Sequence, residues 1–248
     1  MLIRIFTDFD GTITRRDVGD ALFAHFGGSR ALEAVREYIA GRISAVECFR
    51  RECAACGSVS LAELHSFLDQ EEIDSSFPEF VTFCRREALH LSVVSDGMEY
   101  YIRRILGRFG LDDLDVHANI LSLVADGSGA GVRFVPQFPN RDEVCDRCAS
   151  CKRNYLVTAS ADDDLIVYIG EGYSDRCPVQ FADLVFAKDD LRNYCREENI
   201  SSFEYTSFDD IRNRLTKLLD ARRPDGSIAG VRKRRQAELA RHDLFIGG

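Results

Sequence analysis

The sequence predicts an α/β protein with a mostly parallel sheet covered by helices on both faces, on three observations. Short, apolar, branched runs at residues 2–6 (LIRIF), 89–94 (LHLSVV) and 165–169 (LIVYI) alternate with stretches whose apolar residues recur at helical spacing. Each of these runs ends in small or acidic residues: Asp8 and Asp10, Ser95 and Asp96, Glu171 and Asp175. In open parallel sheets ligands sit beyond the carboxyl ends of the strands, so three such ends argue for one active site. Finally, about sixty residues of purely helical pattern follow Arg15, an insertion between the first strand and the next.

The elements follow in order. Gly11 lets the backbone turn off the sheet edge after Asp8-Phe9-Asp10. Were the strand to continue, Asp8 and Asp10 would point the same way. In the insertion, Val18, Ala21, Leu22 and His25-Phe26 form a stripe that Gly27-Gly28 should end. Ser44 and Ser60 are expected to cap two further helices. A helix from Phe77-Pro78 through Arg86 precedes the second strand, and a helix carrying Tyr101, Ile102, Ile105 and Leu106 follows Ser95-Asp96-Gly97. Residues 116–124 and 132–135 read as strands joined by a turn at Asp126-Gly127-Ser128-Gly129. Lys152 begins a helical segment, residues 184–186 form another strand, and Ile211, Leu215 and Leu218 mark a final amphipathic helix. The expected division is a core of residues 1–14 and 77–220, a helical cap at 15–76 and a basic, loosely ordered tail at 221–248. The insertion serves equally as a water-excluding lid or as a packing subdomain.

Composition narrows the function. A formal net charge of −9 argues against a nucleic-acid binder, whose partner demands a basic face, and the Arg/Lys run of the tail reads as solvated. No apolar run reaches the roughly 18 residues of a membrane span, and no signal peptide is read at the N-terminus. Nine cysteines without an export signal suggest a reducing, cytoplasmic setting.

A carboxylate at a strand end beside a second one suits a nucleophile next to a proton-transfer group, or a hard-cation site. Ser95 at a strand-to-helix junction, with the N–H groups of Asp96 and Gly97, suits an anion. These residues resemble the four motifs of the haloacid dehalogenase (HAD) superfamily, matched in order over about residues 2–190: Asp8 to Thr12 (DFDGT), Ser95, Lys152, and Gly170 to Asp175 (GEGYSD). The resemblance implies a Rossmann-like three-layer core of the HAD fold with a small helical C1-type cap, as in the phosphoserine-phosphatase-like branch. FTDFDGTIT, Asp17-Val18-Gly19-Asp20 and GYSDRCP are most similar to the group acting on 2-hydroxy-3-keto-5-methylthiopentenyl-1-phosphate in methionine salvage. The phosphocholine/phosphoethanolamine phosphatases are a second neighbour.

What the resemblance implies is a phosphoric monoester hydrolase for a small phosphorylated metabolite, with a homodimer left open. Asp8 would take the phosphoryl group, and Asp10 would serve as acid and then base. Lys152, Thr12, Ser95, Asp96 and Gly97 would bind phosphate. Mg2+ would be held by Asp8, Asp10 through its carbonyl, and Glu171, with Asp175 in support. The family usually has Asp where this chain has Glu171, which sets the carboxylate one methylene further out. Phosphoserine phosphatase and a catalytically weakened phosphate-binding regulator are the alternatives.

Cys145, Cys148 and Cys151 at C-x2-C-x2-C leave several readings open. They offer three thiolates to a structural Zn2+, with His117, Cys177 or Cys195 as a fourth ligand; otherwise they form a thiol-lined loop positioning Lys152, or a local disulfide. Cys48, Cys53, Cys56 and Cys84 fall in helical stripes and read as small core residues.

Overall fold

The computed structural model describes residues 2–127, 131–221, 228, 231 and 236–240. They form two compact units, one of the described residues within 2–13, 73–94 and 152–240, the other of those within 14–72 and 95–151. The described residues of 95–151 group with those of 14–72 in the second unit.

The first unit is built on parallel strands. β1 (Ile3–Thr7) lies between β2 (His90–Met98), paired with Thr7 opposite Val93, and β5 (Leu165–Gly170), paired with Thr7 opposite Ile169. β6 (Leu184–Ala187) and β7 (Phe203–Glu204) continue outward in parallel. β5 and β6 are buried at every position, which is why they read as unbroken apolar runs rather than alternating ones. Phe6, Ile166, Tyr168 and Val185 turn to one face, where they meet Leu156 of α6 (Lys152–Thr158) and Leu191 and Cys195 of α7 (Asp189–Glu197). α4 (Phe77–Arg86) and α8 (Phe208–Asp220) pack together through Phe77, Phe80 and Phe208, whose rings stand 4.7 and 5.1 Å apart across the pair.

The second unit holds α1 (Val18–Ile39), α2 (Ala45–Cys56), α3 (Leu61–Leu68), α5 (Glu99–Arg108) and an antiparallel hairpin of β3 (Asp115–Ala125) and β4 (Val132–Gln137). β2 runs from one unit into the other, and the strand order is β4-β3-β2-β1-β5-β6-β7. The stop expected at Gly27-Gly28 is a kink inside α1, centred on Gly28 at φ 59°, ψ −141°, a conformation that glycine adopts without a Cβ clash. Ser44 and Ser60 cap α2 and α3 by accepting from the N–H groups of Glu47 and Glu63. Cys48, Cys53, Cys56 and Cys84 are buried.

Three expectations change. Ser95, Asp96 and Gly97 do not open a helix: β2 continues through them to Met98, because the Asn119 side chain of β3 donates to the Asp96 carbonyl at 2.6 Å and holds it extended. The first strand stops at Thr7, so Asp8 and Asp10 lie in a turn rather than on one strand face. α7 and β7, two elements without an expectation, complete the sheet edge. Most of the basic tail lies outside the described residues; within it, Ile228 and Ala237 are buried. The tip of the 126–129 turn also lies outside them. No helix among the described residues is long and apolar enough to cross a membrane.

Candidate active site

Asp8 is the first residue beyond β1. Its N–H donates to the Ile169 carbonyl at 2.9 Å, which holds the chain against β5 one residue past the strand's end. The backbone then curls, with the N–H groups of Thr12 and Ile13 both donating to the Phe9 carbonyl and Gly11 at φ 67°. The curl returns Thr12 to the nucleophile candidate, where its hydroxyl donates to Asp8 Oδ2 at 3.1 Å.

The other oxygen, Asp8 Oδ1, accepts from Lys152 Nζ at 2.6 Å. Lys152, the first residue of α6, also donates to Asp175 Oδ1 at 2.7 Å and Ser174 Oγ at 2.9 Å, so each of its three protons has an acceptor. Asp175 is fully buried, and four donors surround it. Tyr168 OH (2.6 Å) joins Lys152 on Oδ1, and the N–H groups of Glu171 (3.0 Å) and Gly172 (3.1 Å) converge on Oδ2. Tyr205 OH donates to the Gly170 carbonyl at 3.3 Å, and Leu191 N–H to that of Glu171 at 2.7 Å. The loop after β5 is therefore held from three sides.

Burial dominates the electrostatics. It pushes Asp8 up to about 7, with the charge of Asp175 adding to the rise and Lys152 opposing it. For Lys152 burial acts downward, but Asp175 and Asp8 override it and hold the ammonium above the ordinary lysine range. Burial, then Asp175, raises Tyr168 well above the usual phenol value, so it stays a donor. Two carboxylates sharing one ammonium leave one negative charge uncompensated in a space of low dielectric.

That imbalance suits a divalent cation, and the donor set fits a hard one. A Cβ built on Gly11 would stand 3.1 Å from Glu171 Cδ and 3.2 Å from its Oε1, so the Glu171 carboxylate lies against the Asp10-Gly11 backbone. Asp175 has its oxygens committed to four donors, so Asp8 and Glu171, with the Asp10 carbonyl assigned from the sequence motif, are the oxygens that would hold such an ion. Mg2+ commonly takes one or two carboxylates and keeps several waters. No group of three or more His, Cys, Asp or Glu side chains arranged for a metal occurs among the described residues, and a site of this kind does not need one.

In the second unit, Gly97 N–H donates to Ser95 Oγ at 2.8 Å, and Asp96 Oδ1 accepts from the N–H groups of Ala149 and Ser150 at 2.8 and 2.7 Å. Asp96 thus anchors the cysteine loop. The zinc reading of Cys145, Cys148 and Cys151 finds no support there. No group of three such side chains is arranged for a metal among the described residues, and a hydrogen bond with Cys151, then burial, pushes the Cys148 thiol above the usual range.

Sequence reasoning missed Tyr168, Tyr205 and Ser174. Tyr168 left one signal: a phenol in the middle of the otherwise apolar LIVYI, where burial obliges its hydroxyl to find a partner.

The chain is similar to several known proteins. It is 28% identical over 223 residues to a 2-hydroxy-3-keto-5-methylthiopentenyl-1-phosphate phosphatase of Bacillus cytotoxicus, covering 90% of this chain and 100% of the relative. It is 28% identical over 222 residues to Pdp3-interacting factor 1 of Schizosaccharomyces pombe, covering 86% and 95% of the two chains. A solved phospho-aspartyl intermediate analogue of phosphoserine phosphatase shares the fold at TM-score 0.61 and 17% identity, over 87% of this chain and 98% of that one. The model of the haloacid dehalogenase-like hydrolases matches residues 5–177, and the chain belongs to that family.

Proposed function

We propose that this phosphoric monoester hydrolase cleaves a small phosphorylated metabolite through an aspartyl-phosphate on Asp8, with Mg2+ as its cofactor. The observation that carries the reading is the buried Asp8, held at the end of β1 with one oxygen on Lys152 and the other on Thr12. A carboxylate so fixed is a nucleophile in place rather than a solvated turn residue.

The Asp8 carboxylate attacks phosphorus as the ester oxygen departs, and Asp10 gives that oxygen its proton. Asp10 then removes a proton from water, which attacks the phosphoryl group and restores Asp8 with release of inorganic phosphate. Lys152 and Thr12, with Ser95 and the Asp96–Gly97 backbone assigned from the sequence motif, bind the non-bridging oxygens. Asp8, Glu171 and the Asp10 carbonyl would hold Mg2+, which offsets the repulsion between a carboxylate and a phosphate.

The substrate favoured by the relatives is 2-hydroxy-3-keto-5-methylthiopentenyl-1-phosphate, since the Bacillus cytotoxicus phosphatase is covered along its whole length. Phosphate release from that ester, phosphoserine, phosphocholine and phosphoethanolamine, with and without Mg2+, tests the proposal. The expected result is Mg2+-dependent turnover with the methylthiopentenyl ester preferred. Another preferred ester would replace the substrate, and binding without turnover would favour a regulator.

A further inference from the structure

We propose that Tyr168 is a positioning residue for Lys152, acting through Asp175; the inference rests on the phosphatase reading above. Tyr168 is buried to 0% exposure on the face of β5 that packs against α6 and α7. An apolar side chain would fill that volume with no polar tip to satisfy. Its hydroxyl instead donates at 2.6 Å to Asp175 Oδ1, the oxygen that receives Lys152 Nζ at 2.7 Å. The N–H groups of Glu171 and Gly172 hold the other oxygen, so the carboxylate cannot rotate without breaking a buried hydrogen bond.

An ammonium has three protons, and those of Lys152 go to Asp8, Ser174 and Asp175. A phosphoryl oxygen arriving at Lys152 must therefore replace one acceptor. Asp175 is the braced one, so the ammonium pivots on it and exchanges Ser174 or Asp8. Tyr168 keeps that pivot in place: without its hydroxyl, Asp175 Oδ1 depends on Lys152 alone, and the lysine is drawn toward Asp175. Tyr205 provides the contrast, because its hydroxyl bonds the Gly170 carbonyl and the Thr12 side chain rather than Asp175.

The test compares wild type, Tyr168→Phe and Tyr205→Phe by steady-state kinetics on the preferred ester, thermal unfolding and crystal structure. Tyr168→Phe should lower kcat about 10- to 100-fold with KM within about threefold, and Lys152 should leave its position between Asp8 and Asp175. Tyr205→Phe should leave Lys152 in place. If Tyr168→Phe does not fold, 4-fluorophenylalanine at Tyr168 removes the donor with less loss of volume and is read the same way. Unchanged kcat with Lys152 unmoved overturns the proposal, as does a fall in Tm alone. Should wild type hydrolyse no ester, the phosphatase reading fails, and the crystal structures still decide: a displaced Lys152 supports the positioning role and an unmoved one overturns it.

Discussion

In the first unit, Asp8 and Asp175 share one buried ammonium; in the second, Glu52 on α2 is equally buried, and its neighbours are Asp20, Asp17 and the Cys48 thiol. Burial raises both acids first of all, Asp8 to about 7 and Glu52 to about 8, and a nearby carboxylate adds to each. The remedies differ. Glu52 can only take up a proton, whereas Asp8 faces a fixed lysine, with the Glu171 carboxylate against the turn at Gly11 that follows it. A buried acid beside positive charge can remain an anion and act as a nucleophile; a buried acid among acids becomes a neutral core group.

Removing the charge of Asp8 should separate chemistry from stability most sharply. Asp8→Asn is expected to lower turnover at least about 10³-fold, while thermal unfolding stays level or moves up because a penalised buried charge is gone. Lys152→Met breaks the same site from the other side. It strands two buried carboxylates, so turnover should vanish and denaturant unfolding should show a loss of roughly 3–5 kcal/mol.

The second unit is probed through pH. Glu52 has a folded pKa above its reference of 4.5, so its stabilising contribution is full below pH 4.5 and is lost as pH rises through about 8. Glu52→Gln should therefore flatten the stability profile across that window and be the more stable protein above pH 8, by on the order of 5 kcal/mol at most. Urea unfolding at pH 5, 7 and 9 measures it. The smallest effect belongs to Gly11→Ala, where φ 67° and the Glu171 carboxylate 3.1 Å away leave little room for a methyl group. It should destabilise by about 1–2 kcal/mol and raise the Mg2+ concentration needed for half-maximal turnover several-fold.

Much of this was legible in the sequence because each piece is local. Buried strands announce themselves as LIRIF and LIVYI, serine caps as Ser44 and Ser60, and Asp8 by its place just after a strand. What escaped depends on partners distant in sequence. The extension of β2 through Ser95–Met98 is held by Asn119 of β3, twenty-three residues beyond Asp96. Tyr205 reaches the motif loop from a segment without any signature of its own, through the Gly170 carbonyl and the Thr12 side chain.

The most direct test of an Asp8 nucleophile is to quench turnover of the preferred ester, labelled in its phosphoryl group, with acid and map the label. The predicted result is a base-labile acyl-phosphate on the peptide containing Asp8, absent from Asp8→Asn. Undiminished phosphate release by Asp8→Asn, or label on a different residue, would contradict it.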